Sequence, residues 1–347
     1  HFASQNKEAI PLLLQGQWHF ASQNKEVCMN IYLAGDSIVQ NYTDEEFIAG
    51  WGQFLPYFFK SDINVFNYAK GGRSSRLFIN EGRFEEIDRH IQPGDYLFVE
   101  FCHNDDASKD YKSMFNRLVE LGPPDENGIF PIIPGVKVSK DYIPPEYIEA
   151  LNNDASIIDK QAVLNSVLAV NQSYPYDTYY PYSKDASKGS YKWFIKQFID
   201  MARKHDAIPV LVTAPARTFF NANGTIMDAP GCHGGNNFSY IRAMQQIGVA
   251  TCTPVLDLFS YSVKLFEKIG HDNIHRYTAI KKGINKGKWP DDFLKELAKP
   301  ETVSENTHFN KDGAMLITKG LAELILECKN PMLHELQSAL LSDRISS

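Results

Sequence analysis

Basic clusters are missing from this sequence. Its 35 Lys and Arg are scattered among 42 Asp and Glu, and the formal net charge is −7. Phosphate backbones require a concentrated positive surface, so nucleic acid is not the expected partner. Long apolar runs are missing too, and nothing approaches the roughly 20 residues of a membrane span. Cysteine is sparse and odd in number. Five residues (Cys28, Cys102, Cys232, Cys252, Cys328) in a chain of 347, with no C-x-x-C spacing, make neither a disulfide framework nor a structural zinc site. His271 and His275 stand four apart but have no obvious third ligand. "GINKGKW", at 283–289, has one residue too few between its glycines, and no Ser or Thr after Gly-Lys, to be a phosphate-binding loop. No metal and no cofactor are expected.

What is present is an ordinary globular composition. Hydrophobic residues make up 43% of the chain, enough to bury a large core. "HFASQNKE" occurs at 1–8 and again at 19–26, and one internal copy is too few for a solenoid. The intervening "AIPLLLQGQW" is apolar at its centre, but no positive stretch precedes it as in a secretory leader. Residues 1–27 are expected to be an extension outside the fold, from a local duplication or an engineered start. A segment packing through Leu12, Leu13, Leu14 and Trp18 is the alternative. Residues 28–347 are expected to form the folded domain.

From Asn30 on, apolar runs of strand length alternate with helical periodicity. "NIYLAGDS", "INVFNYAKGG", "YLFVEFCHNDD" and "IPVLVTAPAR" read as strands covered on both faces. "WGQFLPYFF", "SRLFINEGRFEEIDRHI", "SYKWFIKQFIDMARKHD", "FSYIRAMQQIGVA" and "DGAMLITKGLAELILECK" read as helices. This alternation predicts an α/β fold with a parallel sheet between helical layers, whose ligand site lies outside the carboxyl ends of the strands. Three polar clusters fall at such ends: Gly35-Asp36-Ser37, Gly71-Gly72-Arg73-Ser74 and His103-Asn104-Asp105. A serine on a tight strand-to-helix turn can attack, glycine admits a backbone N–H close to an oxyanion, and an asparagine amide adds a donor. His308, in "SENTHFNKDGA", can reach the same rim from just before the last helix and act as base.

"GDSIVQNY", "NYAKGGRSS" with "EGRF", "PGDYLFVEFCHND" and "ENTHFNKDGA" resemble, in order, the blocks of the SGNH, or GDSL, hydrolases. More narrowly they resemble the rhamnogalacturonan acetylesterase-like group, carbohydrate esterase family 12. The resemblance covers about 30–105 and 188–325. It implies a three-layer α/β/α sandwich with a parallel, flavodoxin-like sheet and no cofactor. It makes Ser37 the nucleophile, His308 the base and Glu305 its orienter. Ser37 N, Gly72 N and the Asn104 side chain become the oxyanion hole. Asp36 and His103, on the same rim, are expected to contact substrate. The chain departs from the family pattern at Cys102, usually Gly, and at Glu305, usually Asp. The implied reaction is removal of acetyl groups from a plant cell-wall polysaccharide, rhamnogalacturonan first and xylan second. Such a substrate implies secretion.

Residues 107–187 form an insertion of about 80 residues just after the third strand, so it is expected to sit over the rim as a lid or binding segment. Its "SYPYDTYYPYSKD" concentrates tyrosines, and Tyr179 and Tyr180 are expected to offer flat faces to sugar rings. Two other readings stay open: a different SGNH esterase, lipase, thioesterase or acetyltransferase, and a catalytically weak carbohydrate-binding relative. The oligomeric state is not legible.

Overall fold

The computed structural model describes residues 29–43, 47–106, 110–182, 186–228, 238–280 and 304–346. The expectations for residues 1–27 lie outside the described residues. Five strands form the central sheet: β1 (Asn30–Gly35), β2 (Asn64–Asn67), β3 (Tyr96–Glu100), β4 (Ile208–Val212) and β5 (Val255–Leu256). They run in the order β2-β1-β3-β4-β5, and every pair is parallel. This is the flavodoxin-like order, in which the switch point lies between β1 and β3. β1 and β3 are buried along almost their whole length, as unbroken apolar runs require. The edge strand β2 alternates half-buried and exposed residues.

Helical layers cover both faces. Helices α1 (Ser75–Asn80), α2 (Arg83–His90), α6 (Tyr191–Lys204) and α7 (Ser239–Ala250) pack together on one side. Helix α8 (Leu258–Ile269) and the closing helix Lys311–Glu327 pack on the other. Phe78, Phe101 and Phe198 meet ring to ring in the first layer, with centroids 5.3–5.8 Å apart.

Two helical readings change. "WGQFLPYFF" forms two 3-10 turns, Trp51–Gln53 and Leu55–Phe58, because Pro56 lacks the N–H that a continuous helix would need. "SRLFINEGRFEEIDRHI" breaks into α1 and α2 at Gly82, whose φ of 77° only glycine adopts at low cost.

The stretch expected to be an insertion is packed around its own core rather than loose. Its helices α3 (Tyr111–Arg117), α4 (Pro145–Asn153) and α5 (Lys160–Gln172) enclose a second small core of Phe115, Tyr147, Leu151, Val167 and Tyr182. Val119, Leu121 and Phe130, between those helices in sequence, belong to the main core instead. Arg76 of α1 ties the two together. It is buried, and its Nη2 donates to the carbonyls of Phe115 (2.9 Å) and Leu118 (3.2 Å) at the end of α3. Burial lowers its pKa to about 10, which leaves it charged and the two carbonyls paired with a cation.

Candidate active site

β1 ends at Gly35, and the chain turns at once. The N–H groups of Val39 and Gln40 donate to the Asp36 carbonyl, closing one turn around Ser37. The Tyr42 hydroxyl donates to the Ser37 carbonyl at 2.9 Å, and the Gln40 side chain accepts from Gly71 N at 2.5 Å. These bonds lock the turn after β1 against the turn after β2. Gly72 there has φ 81°, a left-handed conformation that directs its N–H in a way an L-residue resists.

Glu305 and His308 lie on a strand, Ser304–Phe309, paired antiparallel with Thr278–Ile280. In a regular strand, residues three apart point to opposite faces. Here Thr278 pairs with Phe309 but Ile280 pairs with Ser304, so extra residues of the longer strand bulge out between the two pairs. The bulge brings both side chains to one face. His308 Nδ1 lies 2.7 Å from Glu305 Oε1, and His308 Nε2 lies 2.8 Å from Ser37 Oγ. A carboxylate only accepts, so Nδ1 carries the hydrogen and Nε2 is left to accept from the serine hydroxyl. That tautomer suits a general base. The bulge is anchored where Thr218 N donates to the Asn306 carbonyl at 2.9 Å.

Asn104 completes the group. Its Nδ2 donates to Asp36 Oδ2 at 2.9 Å, and its Oδ1 faces the Arg117 guanidinium at 3.5 Å, so its partners fix which end of the amide is which. The amide has a second hydrogen beyond the one on Asp36. Among the described residues, neither Ser37 N nor Gly72 N meets an acceptor. Three donors beside one serine hydroxyl are what a developing oxyanion needs.

Four expected substrate contacts are placed differently. Asp36 is fully buried, with Oδ1 accepting from Ile38 N and Oδ2 from Asn104, so it shapes the turn and aims the amide rather than meeting a substrate. His103 is 6% exposed, and its Nε2 donates to the Pro215 carbonyl in the loop after β4. Tyr180 is 7% exposed, and its hydroxyl donates to Glu146 at 2.7 Å. Tyr179 packs edge-on against Trp193 and Phe194, under the Lys137 ammonium. Neither tyrosine presents an open platform. Cys102 is buried in the main core. Sequence reading missed Arg117, Gln40 and Tyr42. The last two stand in "GDSIVQNY", but nothing in the sequence of the insertion points α3 at Asn104.

Three acids are buried under this rim. Asp36 is pushed up to about 6 and Asp105 to about 8, both mainly by burial. Glu100, whose oxygens meet no donor among the described residues, is raised well above its ordinary value by burial and by the two neighbouring carboxylates. Each folded-state pKa exceeds its unfolded value of about 4, so the contribution is complete below that pH and is lost as pH rises to the folded value, about 6 for Asp36 and about 8 for Asp105. Tm is expected to fall between about pH 4 and pH 8. In Asp105→Asn, which keeps the acceptor for Ser75 N and Oγ, the part of that fall between pH 6 and pH 8 should flatten. Scanning calorimetry of both proteins reads this, and parallel slopes between pH 6 and pH 8 would refute it.

No family model matches the chain. It is 30% identical over 311 residues to "Probable rhamnogalacturonan acetylesterase YesY" of Bacillus subtilis, covering 88% of this chain and 98% of that one. It is 27% identical over 311 residues to "Rhamnogalacturonan acetylesterase RhgT" of the same organism, covering 89% and 95%. Among solved structures, YxiM of Bacillus subtilis superimposes with a TM-score of 0.49 at 20% identity, over 86% of this chain and 56% of that one.

Proposed function

Because this chain belongs to the rhamnogalacturonan acetylesterase family of the SGNH hydrolases, we propose that it is a serine esterase that removes acetyl groups from a pectic polysaccharide through an acyl-enzyme. The observation that carries this reading is the hydrogen-bonded chain from Ser37 Oγ through His308 to Glu305, beside three oxyanion donors. Ser37 Oγ attacks the acetyl carbonyl carbon as its proton passes to His308 Nε2. The carbonyl oxygen becomes the oxyanion and takes hydrogen bonds from Ser37 N, Gly72 N and Asn104 Nδ2. Collapse expels the sugar oxygen, which receives the proton from Nε2 and leaves as a hydroxyl. Water then attacks the acetyl-serine, giving its proton to His308. Collapse of the second intermediate returns the proton to Ser37 and releases acetic acid, which ionises to acetate in solvent. Glu305 holds the imidazole in its working tautomer throughout and stabilises the imidazolium.

Rhamnogalacturonan is the first substrate in this proposal and acetylated xylan the second, and a polymer too large to enter a cell places the enzyme outside it. Acetate release from acetylated rhamnogalacturonan, acetylated xylan, p-nitrophenyl acetate and a long-chain p-nitrophenyl ester tests the reading. Release from the pectic polymer at the highest kcat/KM is expected. A preference for the long-chain ester, or no release from any polysaccharide, would overturn it.

The oxyanion role of Asn104 has its own test. Asn104→Ala removes one preorganised donor and should lower kcat by about 10²–10³-fold with little change in KM. A loss confined to KM would mean that the amide binds substrate instead.

A further inference from the structure

Two guanidinium groups stand at the rim beside the oxyanion donors, and they differ in what they hold. Arg73 is neutralised. Its Nε and Nη2 form a fork on Glu81, at 2.9 Å and 2.6 Å, and its Nη1 donates to the Gly71 carbonyl. Arg117 comes from the far end of α3 and has no carboxylate partner among the described residues. Among those residues its one hydrogen bond is the 3.5 Å contact from Nη1 to Asn104 Oδ1. A methyl group on Gly72 would lie 3.1 Å from its Nη2 and 3.4 Å from its Cζ, so the guanidinium lies against the oxyanion glycine. Arg117 is also half-buried, and burial together with the positive charge of Arg73 pushes its pKa down, against the weaker opposing pull of the Asp110 and Asp36 carboxylates. Its charge therefore has an energetic cost that no anion among the described residues offsets at hydrogen-bonding range.

We propose that Arg117 is the binding residue for a uronate carboxylate of the substrate, on or next to the acetylated sugar. The inference rests on the pectic reading above, since rhamnogalacturonan carries a carboxylate on its galacturonate units and xylan's xylose units carry none. A guanidinium offers two parallel N–H bonds to a carboxylate, which a neutral sugar cannot match. Because α3 supplies Arg117 and the sheet supplies Ser37, Gly72 and Asn104, the arrangement fixes the acid group of the sugar relative to the ester that is cleaved. The role of the insertion in this enzyme is then substrate selection by charge rather than by aromatic stacking.

The test uses one acetylated pectic oligosaccharide in two forms, with free carboxylates and with the same carboxylates methyl-esterified. The readout is the ratio of kcat/KM for acetate release, acid form over ester form. Any effect of Arg117 on the oxyanion, or on the set of Asn104, acts on both forms and cancels in the ratio. In the wild type the acid form should be favoured by about 10–100-fold, the range of a charge-assisted bidentate pair. In Arg117→Gln the ratio should fall to near one, and in Arg117→Lys, which keeps the charge but loses the fork, it should be intermediate. A wild-type ratio near one overturns the inference and leaves the esterase reading standing, as does a high ratio that survives in Arg117→Gln. No acetate release by the wild type from either form overturns the pectic reading, and this inference with it.

Discussion

Ser37→Ala is expected to lower kcat for acetyl-ester hydrolysis by roughly 10⁶-fold, the scale on which serine hydrolases lose activity without their nucleophile. The prediction rests on one bond. Ser37 Oγ meets His308 Nε2 at 2.8 Å, and among the described residues no second hydroxyl or thiol shares that nitrogen. His308→Ala should cost about as much, and the double variant no more than either alone, because the two residues act as a unit. Near-additive losses would mean that they work independently. The fold should survive the change at Ser37. The turn around it is closed by main-chain bonds to the Asp36 carbonyl and by Tyr42 on the Ser37 carbonyl, neither of which uses the hydroxyl. Deleting one hydrogen-bonded hydroxyl costs on the order of 1 kcal/mol. Tm should therefore move by only a few degrees while activity disappears. Turnover of p-nitrophenyl acetate, with circular dichroism as the folding control, gives the answer. A native-like variant keeping a substantial part of wild-type kcat would end the acyl-serine mechanism.

The strands that carry the site are legible because burial on both faces makes their apolar runs unbroken, as in "YLFVEF", and because a parallel sheet brings their carboxyl ends to one rim. Residues adjacent to those ends, Ser37, Gly72 and Asn104, could therefore be chosen without coordinates. Burial of polar groups is not legible in the same way. Asp36 stands between glycine and the serine and reads as a surface turn residue, yet it is fully buried because Asn104, 68 residues on, needs an acceptor there. The tyrosines of the insertion suggest a binding face by composition. Tertiary packing turns Tyr180 inward onto Glu146 and folds Tyr179 against Trp193. Arg117 meets Asn104 only because α3, through the buried Arg76, is fastened to α1. A one-dimensional pattern cannot carry contacts that depend on how two cores dock.

Glu305 offers the second large effect. Removing the carboxylate of a serine-hydrolase triad costs roughly 10⁴-fold in kcat, less than removing the nucleophile or base, because the acid orients the imidazole and stabilises its cation without taking the proton. Glu305→Ala is expected to follow that scale. The more informative change is Glu305→Asp. The side chain shortens by one carbon–carbon bond, about 1.5 Å. From the present 2.7 Å the acceptor would withdraw beyond hydrogen-bond reach of His308 Nδ1 unless the backbone follows it. The backbone here is not free to do so. The bulge between Ser304 and Phe309 is held by the Thr278 pairing at one end, the Ala49 N bond to the Phe309 carbonyl, and the Thr218 N bond to the Asn306 carbonyl in its middle. Glu305→Asp should therefore lose activity too, by less than Glu305→Ala, since a carboxylate one water away still favours the imidazolium. Glu305→Gln separates geometry from charge. It keeps the reach of the side chain and can still accept from Nδ1, but it cannot balance the imidazolium, so it should fall below Glu305→Asp. Steady-state kcat for the three variants on p-nitrophenyl acetate gives the ranking Asp above Gln above or equal to Ala. Wild-type kcat in Glu305→Ala would remove Glu305 from the mechanism. Full activity in Glu305→Asp would show that the bulge yields by the missing length, and that its anchors do not set the position of the acid.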